Sequence, residues 1–234
     1  SPINKQPSIN QSSLRSLRVR MTVLPLLLLA IALAVVDAFH LRSMRAPKIS
    51  TVHSQKTVLE MAAQKLKIGI VGATGAVGEE ILGVLEKRNF PASAIKLFAS
   101  EKSAGKVIES SVYGKLELEP FTFDVASQLD IVLLAVGGDF SLEWGEKLSN
   151  AGVLVIDNSS AFRYRDDVPL IIPEINASTG KGKKLIANPN CTTAIALMAL
   201  FPIHKRYKIK KAIISTYQAA SGAGAPGMQE LVDG

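Results

Sequence analysis

A short apolar run that opens directly into a glycine-rich turn is the feature that most limits what this chain can fold into. Lys67–Gly72 (KIGIVG) is rich in β-branched residues and predicts a strand. Glu79–Arg88 carries apolar side chains at helical spacing, and Gly72–Gly78 (GATGAVG) lies between the two segments. A strand, a glycine turn and a helix in this order predict the first unit of an α/β sheet.

Further segments of the chain repeat this alternation. Ile95–Ala99, Asp130–Val136 and Val153–Asp157 are nearly continuous apolar runs, which is typical of strands covered on both faces. Ser141–Ala151 has a helical pattern, and Val107–Leu118 has a weaker strand pattern. Strands that alternate with helices predict a doubly wound parallel α/β sheet.

The positive charge of the chain is confined to its first part. The 234 residues carry a formal net charge of +7, with 47% apolar and 20% charged residues. Residues 1–65 hold nine Lys and Arg against two acids, whereas residues 66–234 hold eighteen of each sign. Because the predicted folded part has no basic excess, we expect no nucleic-acid partner.

The first part resembles a targeting sequence. Thr22–Ala38 is an apolar segment that ends in a small residue, and arginines precede it at 15, 18 and 20. This arrangement predicts a signal peptide over about residues 21–38. A membrane anchor is the alternative, although the uninterrupted run Val23–Val36 is short for a bilayer span of about 20 residues.

The segment Phe39–Gln64 follows with four basic residues, several Ser and Thr, and Glu60 as its acid. That composition is typical of an organelle transit peptide. A signal peptide followed by a transit-like stretch resembles the two-part presequence of plastids acquired by secondary endosymbiosis. We therefore predict a presequence over 1–64, a plastid location, and no stable membrane association after processing. A secreted or membrane-anchored protein is the alternative.

The glycine turn suits a cofactor phosphate. Its spacing is G-x-x-G-x-x-G rather than the G-x-G-x-x-G of the commonest dinucleotide-binding turn, but the physics is shared. Glycines permit a tight turn, so that backbone N–H groups and a helix N-terminus can meet a pyrophosphate. We therefore predict a dinucleotide cofactor.

The end of the second predicted strand indicates which dinucleotide is bound. Glu101 could bond a ribose hydroxyl, as the acidic residue of NAD-binding sites does. Ser100, Lys102 and Ser103 form a hydroxyl-and-cation group better suited to a 2′-phosphate. We predict NADP(H), with NAD or a mere polar loop as the alternatives.

The chain contains one cysteine, which excludes an internal disulfide and a Cys-rich metal site. Cys191 follows a strand and a Pro-containing turn, and precedes a predicted helix over Thr192–His204. A helix start favours the thiolate, so Cys191 is a candidate nucleophile rather than a buried apolar residue. Asn190 and nearby backbone amides could stabilise an oxyanion on an attacked carbonyl. We predict no metal site.

Six segments together resemble aspartate-semialdehyde dehydrogenase, and they occur in that family's order: GATGAVG (72–78), LFASEKSAG (97–105), VIDNSSAFR (155–163), PEIN (173–176), NPNCTT (188–193) and YQAASGAG (217–224). The resemblance implies an NADPH-dependent reductive dephosphorylation of L-aspartyl-4-phosphate to aspartate 4-semialdehyde and phosphate. That step feeds lysine, threonine and methionine synthesis.

The resemblance also implies site residues. Cys191 would attack the acyl phosphate, Arg163 would bind the phosphate, and Gln218 would orient the substrate; for Arg163 the alternative is a surface ion pair with Asp166 or Asp167. The implied cofactor contacts are Gly72, Thr74, Gly75, Ala76, Val77, Ser100, Lys102, Ser103, Ser221 and Gly222. Two positions depart from the family pattern: Lys102 stands where arginine is common, and Asp139 where serine is frequent.

The implied fold is a Rossmann-type NADP-binding domain over 65–190, followed by the start of a glyceraldehyde-phosphate-dehydrogenase-like α+β catalytic and dimerisation domain over 191–234. In the family the acid/base histidine lies beyond the position matching Gly234, and we do not expect His204 to replace it. We therefore expect this stretch alone to be inactive, and the full-length protein to be a homodimer or homotetramer.

Two other functions compete with this one. N-acetyl-glutamyl-phosphate reductase has the same chemistry and a similar glycine loop, but NCTT and VIDNSSAFR argue against it. The non-enzymatic alternative is an inactive, truncated NADP-binding form.

Overall fold

The computed structural model describes residues 66–220 and 224–233, so the predicted presequence lies outside the described residues. The chain divides into two compact units, the first ending at Pro189 and the second beginning at Asn190. Within residues 66–189, the first unit contains seven strands: β1 Leu66–Val71, β2 Ala92–Ala99, β3 Val107–Ser110, β4 Gly114–Pro120, β5 Ile131–Leu134, β6 Leu154–Asp157 and β7 Leu185–Ala187. Its α-helices in the same range are α1 Ala76–Lys87, α2 Phe123–Ala126, α3 Gly138–Asn150 and α4 Pro173–Asn176.

The strands form one sheet in the order β3-β4-β2-β1-β5-β6-β7. The pairs β1–β2, β1–β5, β2–β4, β5–β6 and β6–β7 are parallel, and β3 runs antiparallel to β4. From β1 the chain builds outward through β2 and β4, then returns to the other side of β1 with β5. This reversal is the switch point of a doubly wound fold, which confirms the predicted fold class.

Both faces of the sheet are covered by apolar packing. On one face, Ile81 and Leu85 of α1 pack in a cluster with Ile70 of β1 and Leu133 of β5. On the other face, a second cluster contains Leu148 of α3 together with Phe162, Val132, Leu134 and Val155. Burial on both sides explains why the central strands lack the alternation of a half-exposed strand.

The weaker strand pattern over Val107–Leu118 corresponds to two strands, because the segment folds into the hairpin β3–β4. The Ser110 hydroxyl accepts hydrogen bonds from the N–H groups of Val112 and Tyr113, at 3.3 and 2.9 Å. Gly114 then adopts a φ of +78°, which a glycine tolerates and most residues do not. A side-chain turn followed by this glycine reverses the chain, and β3 becomes the sheet edge.

The described residues of the second unit, 190–220 and 224–233, form two helices, α5 Cys191–Tyr207 and α6 Gly224–Asp233. Helix α5 extends past the predicted end at His204 and continues through Pro202. Its C-cap residue is Lys208, which adopts a left-handed conformation with φ +56°. Among residues 66–220 and 224–233, no helix is both long enough and apolar enough to cross a bilayer.

Candidate active site

Most of the predicted site residues of the first unit lie in turns at the carboxyl edge of the sheet. In a parallel sheet, the turns that leave the strands at this edge lie side by side, and ligands bind at the switch point. The turns after β1 and β5 lie at that point, and those after β2, β6 and β7 flank it.

The glycine turn after β1 is wedged between the neighbouring strands. Gly72 has a φ of +83°, and a β-carbon there would lie 2.3 Å from the carbonyl oxygen of Ala135, after β5. The N–H groups of Gly72 and Ala73 both donate to the carbonyl of Phe98 in β2, at 2.9 and 3.0 Å. A side chain at position 72 would therefore collide with backbone, which explains why glycine occupies the end of β1.

The start of α1 offers unoccupied donors to an anion. Gly75 is the N-cap residue, and no side chain caps this helix end. The residues Thr74 to Val77 are exposed, whereas Gly78 is buried against the turn. Because the first N–H groups of a helix have no intrahelical acceptor, this surface fits the pyrophosphate of a dinucleotide.

A second helix start faces the same edge. Helix α3 begins directly after Gly137, and no side chain caps it either. Asp139 lies in its first turn and is exposed. A negative charge in the first turn opposes the binding of an anion, and α1 carries one as well, at Glu79, so this charge does not distinguish the two helix starts.

The loop after β2 carries the predicted 2′-phosphate group of residues. Glu101–Ser103 form a short 3₁₀ turn, closed by a hydrogen bond from the Ser103 N–H to the carbonyl of Ser100 at 2.8 Å. Ser100, Glu101 and Lys102 are exposed. A lysine and two serines within one turn fit a phosphate. The carboxylate of Glu101 also lies there, so the NADP preference stays a prediction.

A buried carboxylate that the sequence analysis did not single out lies at the end of β6. Asp157 is fully buried and accepts hydrogen bonds from the hydroxyls of Ser141 in α3 and Ser159, at 2.6 and 2.7 Å. The N–H of Ser159 also donates to it, at 3.1 Å. Asp157 therefore joins the first turns of α3 to the loop that leads to Arg163. The sequence signal was an acid at the end of a continuous apolar strand.

Arg163 bonds main-chain carbonyls at two strand ends. Its Nε donates to the carbonyl of Asn188, after β7, and its Nη2 donates to that of Asn158, after β6, both at 2.9 Å. Asp167, a candidate ion-pair partner, forms a salt bridge with Arg165. The guanidinium of Arg163 is thus oriented by the sheet edge, and phosphate binding by Arg163 stays a prediction.

In the second unit, Cys191 is the first residue of α5 and is buried. Asn190 caps the helix: its side-chain oxygen accepts the N–H of Thr192 at 3.0 Å. The cap explains why the helix begins at the cysteine, because it satisfies one of the open N–H groups. It also gives Asn190 a structural role, while its predicted oxyanion role is untested.

Thr192 connects the cysteine to Gln218. Its hydroxyl donates to the Gln218 side-chain oxygen at 3.3 Å and lies 3.9 Å from the Cys191 sulfur. The structure thus brings Gln218 close to the start of α5 through a threonine that the sequence analysis did not single out. Ser221 and Gly222 lie outside the described residues. His204 is exposed in the last turn of α5.

Titratable clusters do not point to a metal. Within the part of the chain that the structure describes, no group of three or more His, Cys, Asp or Glu side chains is arranged to hold one.

Comparison with known proteins identifies the family. The family model for the semialdehyde dehydrogenase NAD binding domain matches residues 67–182, and that for the semialdehyde dehydrogenase dimerisation domain matches residues 200–234. The aspartate-semialdehyde dehydrogenase of Synechocystis sp. is 44% identical over 167 residues, which are 71% of this chain and 49% of that protein. The Aquifex aeolicus enzyme of the same name is 45% identical over 70% of this chain and 49% of its own length.

Solved structures give the same family. The crystal structure of aspartate semialdehyde dehydrogenase II from Vibrio cholerae, complexed with ASA, has a TM-score of 0.67 and 41% identity. The match covers 73% of this chain and 51% of that structure. The chain thus spans about half the length of the relatives it matches. With its NAD(P)-binding domain at residues 67–182 and the beginning of a dimerisation domain after it, the chain belongs to the semialdehyde dehydrogenase family and is similar to its aspartate-semialdehyde dehydrogenases.

Proposed function

We propose that the complete protein containing this chain is an NADPH-dependent aspartate-semialdehyde dehydrogenase. It converts L-aspartyl-4-phosphate to aspartate 4-semialdehyde and phosphate, a step toward lysine, threonine and methionine. The observation that carries the proposal is the position of the one cysteine. Cys191 begins a helix capped by Asn190 and is connected through Thr192 to Gln218, in a chain of this family.

The cysteine acts as a nucleophile. The thiolate of Cys191 attacks the acyl carbon, the bond from that carbon to the phosphate oxygen breaks, and phosphate leaves with the electron pair. The product is a thioester on Cys191. NADPH, when bound, would supply the hydride that reduces this acyl group, and the carbon–sulfur bond then breaks to release the aldehyde and return the Cys191 thiolate.

Two side chains orient the substrate in this proposal. Arg163 binds the phosphate, because a planar guanidinium matches two phosphate oxygens, and its orientation is set by the carbonyls of Asn158 and Asn188. Gln218 orients the acyl group, in keeping with its contact to Thr192 beside the cysteine.

The cofactor would bind at the carboxyl edge of the sheet. Its pyrophosphate would meet the exposed residues 74–77 and the uncapped start of α1. Its 2′-phosphate would meet Ser100, Lys102 and Ser103, which favours NADP over NAD. The family pattern adds Ser221 and Gly222 as further contacts.

The proposal includes location and assembly. The basic, apolar and hydroxyl-rich composition of residues 1–64 supports targeting to a plastid. A homodimer or homotetramer is supported by the match of residues 200–234 to a dimerisation domain.

A substrate comparison tests the function. The complete protein is expressed from the reading frame that contains this chain and is purified. It is then assayed with aspartyl phosphate and with N-acetyl-glutamyl phosphate, each with NADPH and with NADH. We expect turnover with aspartyl phosphate and NADPH. Turnover only with the acetylated glutamyl substrate would show an N-acetyl-glutamyl-phosphate reductase instead, and cofactor binding without any turnover would support the non-enzymatic form.

A further inference from the structure

Two asparagines form a chain of hydrogen bonds across the ends of three neighbouring strands. The Asn158 side-chain nitrogen donates to the carbonyl of Leu134, the last residue of β5, at 2.9 Å. The Asn188 side-chain nitrogen donates to the side-chain oxygen of Asn158 at 2.8 Å. The chain therefore runs from β5 to the end of β6 and on to the end of β7.

The orientation of both carboxamides follows from the first bond. A backbone carbonyl can only accept, so Asn158 must turn its nitrogen to Leu134 and its oxygen to Asn188. The Asn188 side chain must then donate to that oxygen through its nitrogen. Its own oxygen is left buried and has no hydrogen-bond partner among the residues that the structure describes. Flipping either carboxamide would set two acceptors against each other.

The same two residues hold Arg163 through their main chains. The carbonyls of Asn158 and Asn188 accept from Nη2 and Nε of Arg163, and the Asn188 N–H donates to the carbonyl of Asp157 at 2.8 Å. The side chain of each asparagine thus takes part in the link between the strand ends. The main-chain carbonyl of each asparagine accepts a hydrogen bond from the guanidinium of Arg163. The carboxamide bond between the two side chains therefore joins the same two residues whose carbonyls hold the guanidinium.

A purely structural link would not need this pair. Apolar side chains of similar size could join the strand ends without leaving an acceptor buried and unsatisfied, which destabilises a fold. A polar pair at position 158 and position 188 therefore indicates a requirement other than stability. The contacts of this pair lead to the two carbonyls that orient Arg163.

We infer that Asn158 and Asn188 are positioning residues for Arg163, setting the orientation in which its guanidinium receives the phosphate group. This inference rests on the proposed function, which assigns the phosphate to Arg163. It predicts that loss of the Asn188 carboxamide weakens the phosphate interaction and leaves cofactor binding unchanged.

The test uses the complete protein in the reverse reaction, with aspartate 4-semialdehyde, NADP+ and inorganic phosphate. Asn188→Leu keeps the number and branching of the side-chain heavy atoms and removes both the bond to Asn158 and the unsatisfied oxygen. We expect the KM for phosphate to rise about tenfold and the KM for NADP+ to stay within about twofold. Asn188→Ala repeats the measurement should the leucine variant fold poorly.

Asn176 supplies the matched control. Its carboxamide accepts from the Ile172 N–H at 2.8 Å and donates to the Leu170 carbonyl at 2.9 Å, so it also links main-chain groups of the first unit. Asn176→Leu should lower the thermal midpoint without changing the KM for phosphate. An equal rise in the KM for phosphate in both variants would overturn the inference.

A double-mutant cycle with Arg163→Lys separates the two proposals. Lysine has one side-chain nitrogen and cannot reproduce the fork that bonds both carbonyls, so Asn188→Leu should add less than about twofold to the phosphate KM in that background. A full additional increase, or no effect of Asn188→Leu beside a large effect of Arg163→Lys, would overturn the inference and leave the role of Arg163 intact. No effect of Arg163→Lys would overturn the phosphate role itself, and the inference with it.

Discussion

A β-carbon at position 78 would lie 2.2 Å from the carbonyl oxygen of Gly72. The first turn of α1 is therefore in backbone contact with the turn that ends β1, and this contact sets where the helix N-terminus points. We expect Gly78→Ala to lower the free energy of unfolding by about 1–3 kcal/mol, because backbone must move to admit the methyl group. The NADPH affinity of the full chain should fall with it.

Gly83 provides the control for this prediction, because it lies in the same helix and a β-carbon there would have no atom within 4 Å. Gly83→Ala should raise the free energy of unfolding by about 0.5–1 kcal/mol, since alanine favours the helix. Urea denaturation measures both variants, and NADPH fluorescence measures binding. Equal stability changes in the two variants would show that the contact between positions 72 and 78 is not close.

The 2′-phosphate contact can be separated from general electrostatics. Lys102 lies in the 3₁₀ turn after β2, and Lys106 is an exposed lysine of the same loop. Lys102→Ala should raise the NADPH dissociation constant about tenfold and leave that of NADH nearly unchanged, because only NADPH carries the 2′-phosphate. Lys106→Ala should change neither constant. An equal loss of affinity for NADPH and NADH would show that Lys102 contacts a part of the dinucleotide other than the 2′-phosphate.

The nucleophile is tested in the complete protein. Cys191→Ser should lower kcat by about 10³-fold or more, because a serine hydroxyl at this position is a far weaker nucleophile than a thiolate. Iodoacetamide should inactivate the unsubstituted protein in proportion to alkylation of Cys191, measured on the peptide by mass spectrometry. NADPH affinity and thermal midpoint should be unchanged. A serine variant with more than about a tenth of the turnover would refute the assignment.

Tyr113 links the hairpin to the end of α1. Its hydroxyl donates to the carbonyls of Leu85 and Phe90, at 3.0 and 2.9 Å. Burial raises the pKa of Tyr113, and the nearby carboxylate of Glu86 raises it further. Because the folded state holds this proton more tightly than the unfolded state, the contribution to stability is complete below about pH 10 and is lost as the pH rises above it.

Tyr113→Phe should therefore lower the free energy of unfolding by about 1 kcal/mol at pH 7 and weaken its decline above about pH 10. Urea denaturation at pH 7, 9 and 10.5 provides the measurement. Tyr164 is 98% exposed, and Tyr164→Phe should match the unsubstituted chain at pH 7. If the free energy of unfolding of Tyr113→Phe falls as steeply above about pH 10 as that of the unsubstituted chain, titration of other groups causes the fall.

The sheet and its glycine turn could be predicted from the sequence because both depend on local order. Continuous apolar runs indicated the central strands, and the glycines before Glu79 indicated a tight turn into a helix. The helix start at Cys191 also followed from adjacent residues. The hairpin β3–β4 was missed because the turn depends on the Ser110 hydroxyl and on the left-handed Gly114, within a segment of weak strand pattern.

The local sequence thus determined the central strands, the glycine turn after β1 and the helix start at Cys191, since backbone sterics and apolar periodicity act over a few residues. Only the tertiary structure decided that Arg163 bonds the carbonyls of Asn158 and Asn188, and that Asp157 joins Ser141 to Ser159. Arg163 and Asn188 are 25 positions apart in the chain. They meet because parallel strands deliver their carboxyl ends to one edge, and no local pattern encodes which side chains face each other there.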